Sequence, residues 1–178
     1  MAKNSQPKSI RRIALTGPES TGKTTLCIEL AAHYKTVWVP EYSREYMENL
    51  DRPYTYEDVI YCTLEQIKAE DALAAKANRF LFSDNELINY KVWFEDVFKK
   101  TPDWMEAEIA KREFDLYLLT APDLPWVHEE VRENPHRREY FFDLYKTELE
   151  KRNFNYRVVT GSGKSRLQAA IQFIDTAF

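Results

Sequence analysis

Apolar residues fall along this chain in short runs of four to six, separated by longer stretches in which they recur every three or four positions. The first pattern is that of a strand buried on both faces, the second that of a helix with one buried face. Arg11-Arg12-Ile13-Ala14-Leu15-Thr16 reads as the first strand and the stretch from Thr25 to Ala32 as the helix after it. Further strands are expected at 36–39, ending before Pro40, and at 79–83, 115–120 and 155–160. Helices are expected over 41–50, 54–77, 85–100 and 103–112, then in a segment reaching Arg152, and finally over 165–178. Strands that alternate with helices predict a single α/β domain whose parallel sheet is covered on both faces. Residues 1–9 read as a disordered leader and 10–178 as that domain. In such sheets ligands sit beyond the carboxyl ends of the strands, so the segments after each strand are where chemistry is sought.

The first of those segments is the most informative. Residues 17–24 read GPESTGKT and satisfy the phosphate-binding pattern G-x-x-x-x-G-K-[ST], between a predicted strand and a predicted helix. With only four glycines in the chain, the pattern should arise by accident roughly once in a thousand such sequences. Backbone N–H groups of the loop and the helix N-terminus form a cradle for phosphate oxygens. Lys23 is placed to reach the outer phosphates and Thr24 to ligate Mg²⁺. The expected nucleotide contacts are Gly17, Glu19, Ser20, Thr21, Gly22, Lys23, Thr24 and Thr25.

Composition narrows the partners. The 178 residues carry a net charge of −4, which leaves no basic footprint for nucleic acid or an anionic membrane. No apolar run approaches the ~20 residues of a membrane span, and the N-terminus shows no secretory h-region. A cytoplasmic setting is expected, with Cys27 and Cys62 as reduced core residues. None of the three histidines pairs with a cysteine at zinc-like spacing. Oligomeric state is not legible.

At the other strand ends, Asp84 follows the apolar run RFLFS, as a Mg²⁺-side carboxylate would. It could hold the metal or accept a proton from an attacking hydroxyl; its plain alternative is a helix N-cap. Glu86 could assist it, or simply favour the start of the helix. Glu41 and Arg44, three apart on one helix face, could hold substrate hydroxyls or form an exposed ion pair. The proline-marked segment 121–138 carries Arg132, Arg137 and Arg138, the composition of a lid that brings positive charge to phosphates. Arg132 is the expected catalytic arginine and Arg137 an expected nucleotide contact. Gly161-Ser162-Gly163-Lys164-Ser165 fails as a second phosphate loop and either shapes the adenine side or turns the chain. Aromatic faces at Tyr42 and Trp93 could serve an aromatic or cationic ring, or pack the core.

GPESTGKTTL, EYSREY, FSDNE and DLYLLTAPDLPWVHEEVR together resemble the ribosylnicotinamide kinase domain of NadR-type proteins, a P-loop nucleoside kinase family. The resemblance spans about residues 10–175. It implies a strand order of 2-3-1-4-5 and transfer of the ATP γ-phosphate to the 5′-hydroxyl of nicotinamide riboside. It implies that Lys23 and Thr24 serve the phosphates and Mg²⁺, that Asp84 and Glu41 handle metal and substrate hydroxyls, and that Arg132 belongs to the lid. Together with the residue reading, the expected metal ligands are Thr24 and Asp84, the expected catalytic residues Lys23, Asp84, Glu41 and Arg132, and the expected acceptor contacts Glu41, Tyr42, Arg44 and Trp93. A regulatory GTPase is excluded, since neither N-K-x-D nor D-x-x-G occurs. A kinase of another nucleoside, and a slowly hydrolysing ATP-binding module, remain as rivals.

Overall fold

The computed structural model describes residues 9–130 and 132–178, so the leader expected over 1–9 lies, apart from Ser9, outside the described residues. Within these residues five strands, β1 (Arg11–Thr16), β2 (Trp38–Val39), β3 (Phe80–Asp84), β4 (Leu116–Thr120) and β5 (Tyr156–Val159), form one parallel sheet. Their order is β2-β3-β1-β4-β5, as the resemblance implied. Among the described residues seven α-helices surround the sheet: α1 (Lys23–Tyr34), α2 (Tyr42–Glu48), α3 (Tyr56–Ala74), α4 (Leu87–Trp93), α5 (Met105–Lys111), α6 (Arg138–Lys151) and α7 (Gly163–Ala177).

Alternation along the strands divides the core in two. Ile13, Leu15, Phe80, Phe82, Leu116 and Leu118 pack toward α1 and α7, against Leu26, Leu30, Ala170 and Ile174. Ala14, Tyr117 and Leu119 point the other way, onto Ile88, Phe94, Met105 and Leu149. Both faces are therefore apolar, which is why these strands show runs and not a polar alternation. Registers of Leu15 with Asp84 and Thr16 with Leu119 bring the ends of β1, β3 and β4 level at one edge. No helix among the described residues is long and apolar enough to cross a membrane.

Several boundaries differ from expectation for local reasons. Helix α3 starts at Tyr56 because Thr55 caps it in a reciprocal box, Thr55 N–H donating to Asp58 Oδ2 at 2.7 Å and Asp58 N–H to Thr55 Oγ1 at 3.3 Å. Thr36, expected to open the second strand, instead donates its hydroxyl to Phe80 O at 2.6 Å. The helix expected over 85–100 divides into α4 and a π-helical turn, Phe94–Phe98, closed by Lys99 at φ 56°. Such turns insert one residue into the helical ladder and often sit beside functional sites. Helix α7 begins at Gly163, two residues before the expected Ser165.

One buried acid behind the sheet carries a stability prediction. Glu70, 1 % exposed, accepts from Ser83 Oγ at 3.1 Å, and its other oxygen has no hydrogen-bond partner among the described residues. Arg112 lies 3.7 Å away but is engaged by Asp71 and Glu108. Burial pushes the Glu70 carboxyl up to about 7. The folded state therefore binds this proton more tightly than the unfolded chain, and the contribution, full below about pH 4, is lost as pH rises through 7. Glu70→Gln is expected to melt above wild type at pH 8, by roughly 1–3 kcal/mol, and level with it near pH 4. Thermal melts at the two pH values check this; an equal difference at both would mean that folding leaves the Glu70 pKa unshifted.

Candidate active site

The phosphate loop owes its shape to two glycines. Gly17 has φ 137°, and a Cβ there would lie 2.5 Å from Thr120 Oγ1 and 2.8 Å from Thr120 O. Gly22 has φ 75° and immediately precedes α1. Threonines lock the loop to the strand ends. Thr21 Oγ1 donates to Pro18 O at 2.8 Å and meets Thr120 Oγ1 at 2.6 Å. Thr16 Oγ1 donates to Asn89 Oδ1 at 2.7 Å. Thr25, an expected nucleotide contact, is exposed in the first turn of α1.

Lys23 folds back over this loop, its ammonium donating to Pro18 O at 2.8 Å. Burial holds its pKa below the usual lysine value, opposed by the charges of Asp84, Glu41 and Glu19. Thr24 Oγ1 donates to Asp84 Oδ2 at 2.5 Å. Asp84 is 1 % exposed, and its Oδ1 has no partner among the described residues. Burial, and then the charge of Glu41, push its carboxyl up to about 6, with Lys23 pulling the other way. The helix-cap alternative for Asp84 fails because Glu86 takes that place, accepting the Ile88 N–H at 2.7 Å at the start of α4. Glu86 is thereby engaged in the backbone, and burial pushes its carboxyl up to about 8.

Glu41 stands at the N-cap of α2, where it accepts from Ser43 Oγ at 3.1 Å and pairs with Arg44 Nη2 at 3.5 Å. Arg44 also reaches across to the lid, its Nη1 2.5 Å from Glu129 Oε2. A cavity of about 630 Å³ opens from the loop, lined by Lys23, Glu41, Arg44, Trp93, Arg132 and Arg137 among others. Trp93 donates through Nε1 to Tyr54 Oη at 3.2 Å, and the two rings meet edge to face at 5.2 Å.

The structure does not gather every expected residue at the phosphates. Tyr42 is absent from the cavity wall and packs with Tyr46 and Tyr61, centroids 6.5 and 6.0 Å away. Arg137 is held in a two-pronged pair by Asp96, at 2.6 and 2.9 Å, and lies over Tyr140 and Phe141. It is the neighbouring Arg138 whose Nη1 reaches the loop, at 3.3 Å from Ser20 O. The glycine turn after β5 is knitted by Arg166, which donates to Gly161 O and Thr21 O at 2.7 and 2.8 Å. Tyr54, Asp96, Glu129 and Arg166 were not legible as site residues, since no local motif marks them and only chain folding brings them there.

The components fit a bound nucleotide and metal. A cradle that a Cβ would obstruct suits phosphate oxygens, and the partnerless Asp84 Oδ1 beside the Thr24 hydroxyl suits a hard cation that accepts oxygen ligands. Fold and loop define the chain as a P-loop nucleotide-binding protein. It belongs to the AAA domain family, which matches residues 12–166.

Among curated relatives, the trifunctional NAD biosynthesis/regulator protein NadR of Escherichia coli (strain K12) is 26% identical over 176 residues, covering 95% of this chain and 43% of that protein. The chain spans less than half the length of the curated relatives it matches. A crystal structure of NadR protein in complex with NR superposes with a TM-score of 0.79 at 23% identity, covering 95% of this chain and 52% of that one. A second, in complex with NAD and AMP-PNP, gives 0.75 at 24% identity, covering 95% and 49%. These likenesses bear out the resemblance read from EYSREY and the DLPWV stretch.

Proposed function

We propose that this chain is an ATP-dependent kinase that transfers the γ-phosphoryl group to the 5′-hydroxyl of nicotinamide riboside, forming nicotinamide mononucleotide. The observation that carries the reading is one cavity whose wall holds Lys23 and residues of the phosphate loop together with Glu41, Tyr54 and Trp93. A phosphoryl acceptor placed there has its hydroxyl at the loop and its ring at the aromatic end. Mg·ATP supplies the transferable group and neutralises its charge; Thr24 and Asp84 would hold the metal and the backbone of 17–24 the phosphates.

The protein's own share is alignment and charge. Glu41 or Asp84 accepts the hydroxyl proton, the two carboxylates being close enough for Glu41 to raise the Asp84 pKa. Lys23 and Arg132 bring positive charge from the loop and the lid. Trp93, edge-on to Tyr54, offers the aromatic surroundings that a cationic pyridinium ring would favour, with Glu133 on the same cavity wall. The likeness to a NadR structure holding NR supports the same choice.

The deciding experiment is ADP release from Mg·ATP with nicotinamide riboside and with a panel of other nucleosides. Stimulation confined to nicotinamide riboside, with the mononucleotide as product, is expected. Stimulation by another nucleoside would replace the acceptor, and stimulation by none would favour a slow ATPase. Trp93→Ala is expected to raise the acceptor KM by about 10-fold or more while leaving the KM for ATP unchanged. A lower melting temperature with unchanged KM would make Trp93 a packing residue only.

A further inference from the structure

A phosphate loop works through its backbone N–H groups, which leaves the side chains at its variable positions free for other tasks. Two of them face the lid. Glu19 Oε2 accepts the Asn134 N–H at 3.0 Å, and Oε1 accepts the Glu133 N–H at 3.3 Å. Ser20 Oγ accepts the Val127 N–H at 2.8 Å. Between these anchors lies Arg132, whose Nη1 donates to Val127 O at 2.5 Å and reaches Ser20 Oγ at 3.5 Å. Its Nη2 pairs with Glu129 Oε1 at 2.6 Å, and the other Glu129 oxygen holds Arg44. The lid is thus tied on one side to the phosphate loop and on the other to α2.

A carboxylate in a phosphate loop would repel the ligand unless its charge were engaged elsewhere. Two successive lid amides engage it here, in charge-assisted bonds that are stronger than neutral ones. We infer that Glu19 is a positioning residue for phosphoryl transfer: by holding the backbone at 133–134 it seats Arg132 over the phosphate loop. The inference rests on the proposed role of Arg132, through which Glu19 acts without touching the reacting atoms. It also reassigns the Glu19 side chain, expected from the motif to contact nucleotide, to the lid.

The test uses Glu19→Ala and Glu19→Gln in the full chain. Amide hydrogen exchange needs no substrate. In Glu19→Ala the Glu133 and Asn134 amides are expected to exchange about 10-fold faster or more, with β1 and β4 amides unchanged. Glu19→Gln keeps an acceptor oxygen and should fall between. Unchanged exchange at 133–134 overturns the inference.

Kinetics then follow with any acceptor that the wild type phosphorylates. Glu19→Ala should lower kcat by about 10- to 100-fold, with the KM for ATP moved less than about threefold. In an Arg132→Ala background it should add less than about threefold, since both changes remove one device. A raised KM for ATP at unchanged kcat, or full multiplication of the two effects, would mean that Glu19 serves the nucleotide directly. A wild type without kinase activity bears on the proposed function alone, because the exchange result still decides whether Glu19 holds the lid.

Discussion

Lys23→Ala is expected to abolish ATP turnover, lowering kcat by about 10³-fold or more, while the protein stays folded. The ammonium is the one cation that the phosphate loop itself contributes, and it lies in a partly buried place where electrostatic effects are strong. Its partner in the free protein is a backbone carbonyl of its own loop, Pro18 O at 2.8 Å. That bond keeps the charge over the cradle and is readily exchanged for phosphate oxygens. Burial holds the Lys23 pKa below the usual value, so the charged lysine is not stabilised by its surroundings in the way a paired surface lysine is. Its loss should therefore cost little stability, within the ~1 kcal/mol typical of single substitutions. ADP release measured beside a thermal melt separates the two effects. Retained turnover would remove the loop from the mechanism.

Asp84→Asn carries the second large effect, a fall in kcat of about 10²- to 10⁴-fold. The amide oxygen can still accept the Thr24 hydroxyl, now at 2.5 Å from Asp84 Oδ2, so the local geometry survives and only the charge is lost. In the free protein that charge is a burden. Asp84 is buried, one of its oxygens has no partner, and Glu41 is a like-charged neighbour. The variant should melt at the same temperature as wild type or higher while turning over far more slowly. This pairing is the mark of a residue kept for function at the expense of stability. Near-normal turnover would leave Asp84 without a role in the reaction. A lower melting temperature with normal turnover would make the Thr24–Asp84 bond purely structural.

The two variants also bear on the choice of general base. Glu41 lines the cavity and its charge acts on the buried Asp84, yet the two are held differently. Glu41 is anchored by Ser43 and Arg44, whereas Asp84 faces Thr24 and has an orphaned oxygen. The arrangement suits Asp84 to the metal side and leaves Glu41 on the acceptor side. Turnover in Asp84→Asn that is recovered by raising Mg²⁺ would support that division.

The chain by itself determined the frame and the phosphate loop. Apolar runs buried on both faces could only be strands of a covered parallel sheet, and GPESTGKT carries its chemistry in consecutive residues because the cradle is made of local backbone. Asp84 was legible for the same reason, as the polar residue that ends an apolar strand. Tertiary structure decided the rest. Tyr42 was chosen as an aromatic face and Arg137 for its charge in the lid segment, but Tyr61 draws the one into a tyrosine cluster and Asp96 holds the other through a π-helical turn. Tyr54 reaches Trp93 across 39 positions, Glu129 reaches Arg44 across 85, and Glu19 reaches Asn134 across 115. A motif reports what neighbours along the chain can do together. The aromatic wall of the cavity and the lid contacts are built from residues far apart in sequence, and only the packing of helices onto the sheet brings those side chains within reach of one another.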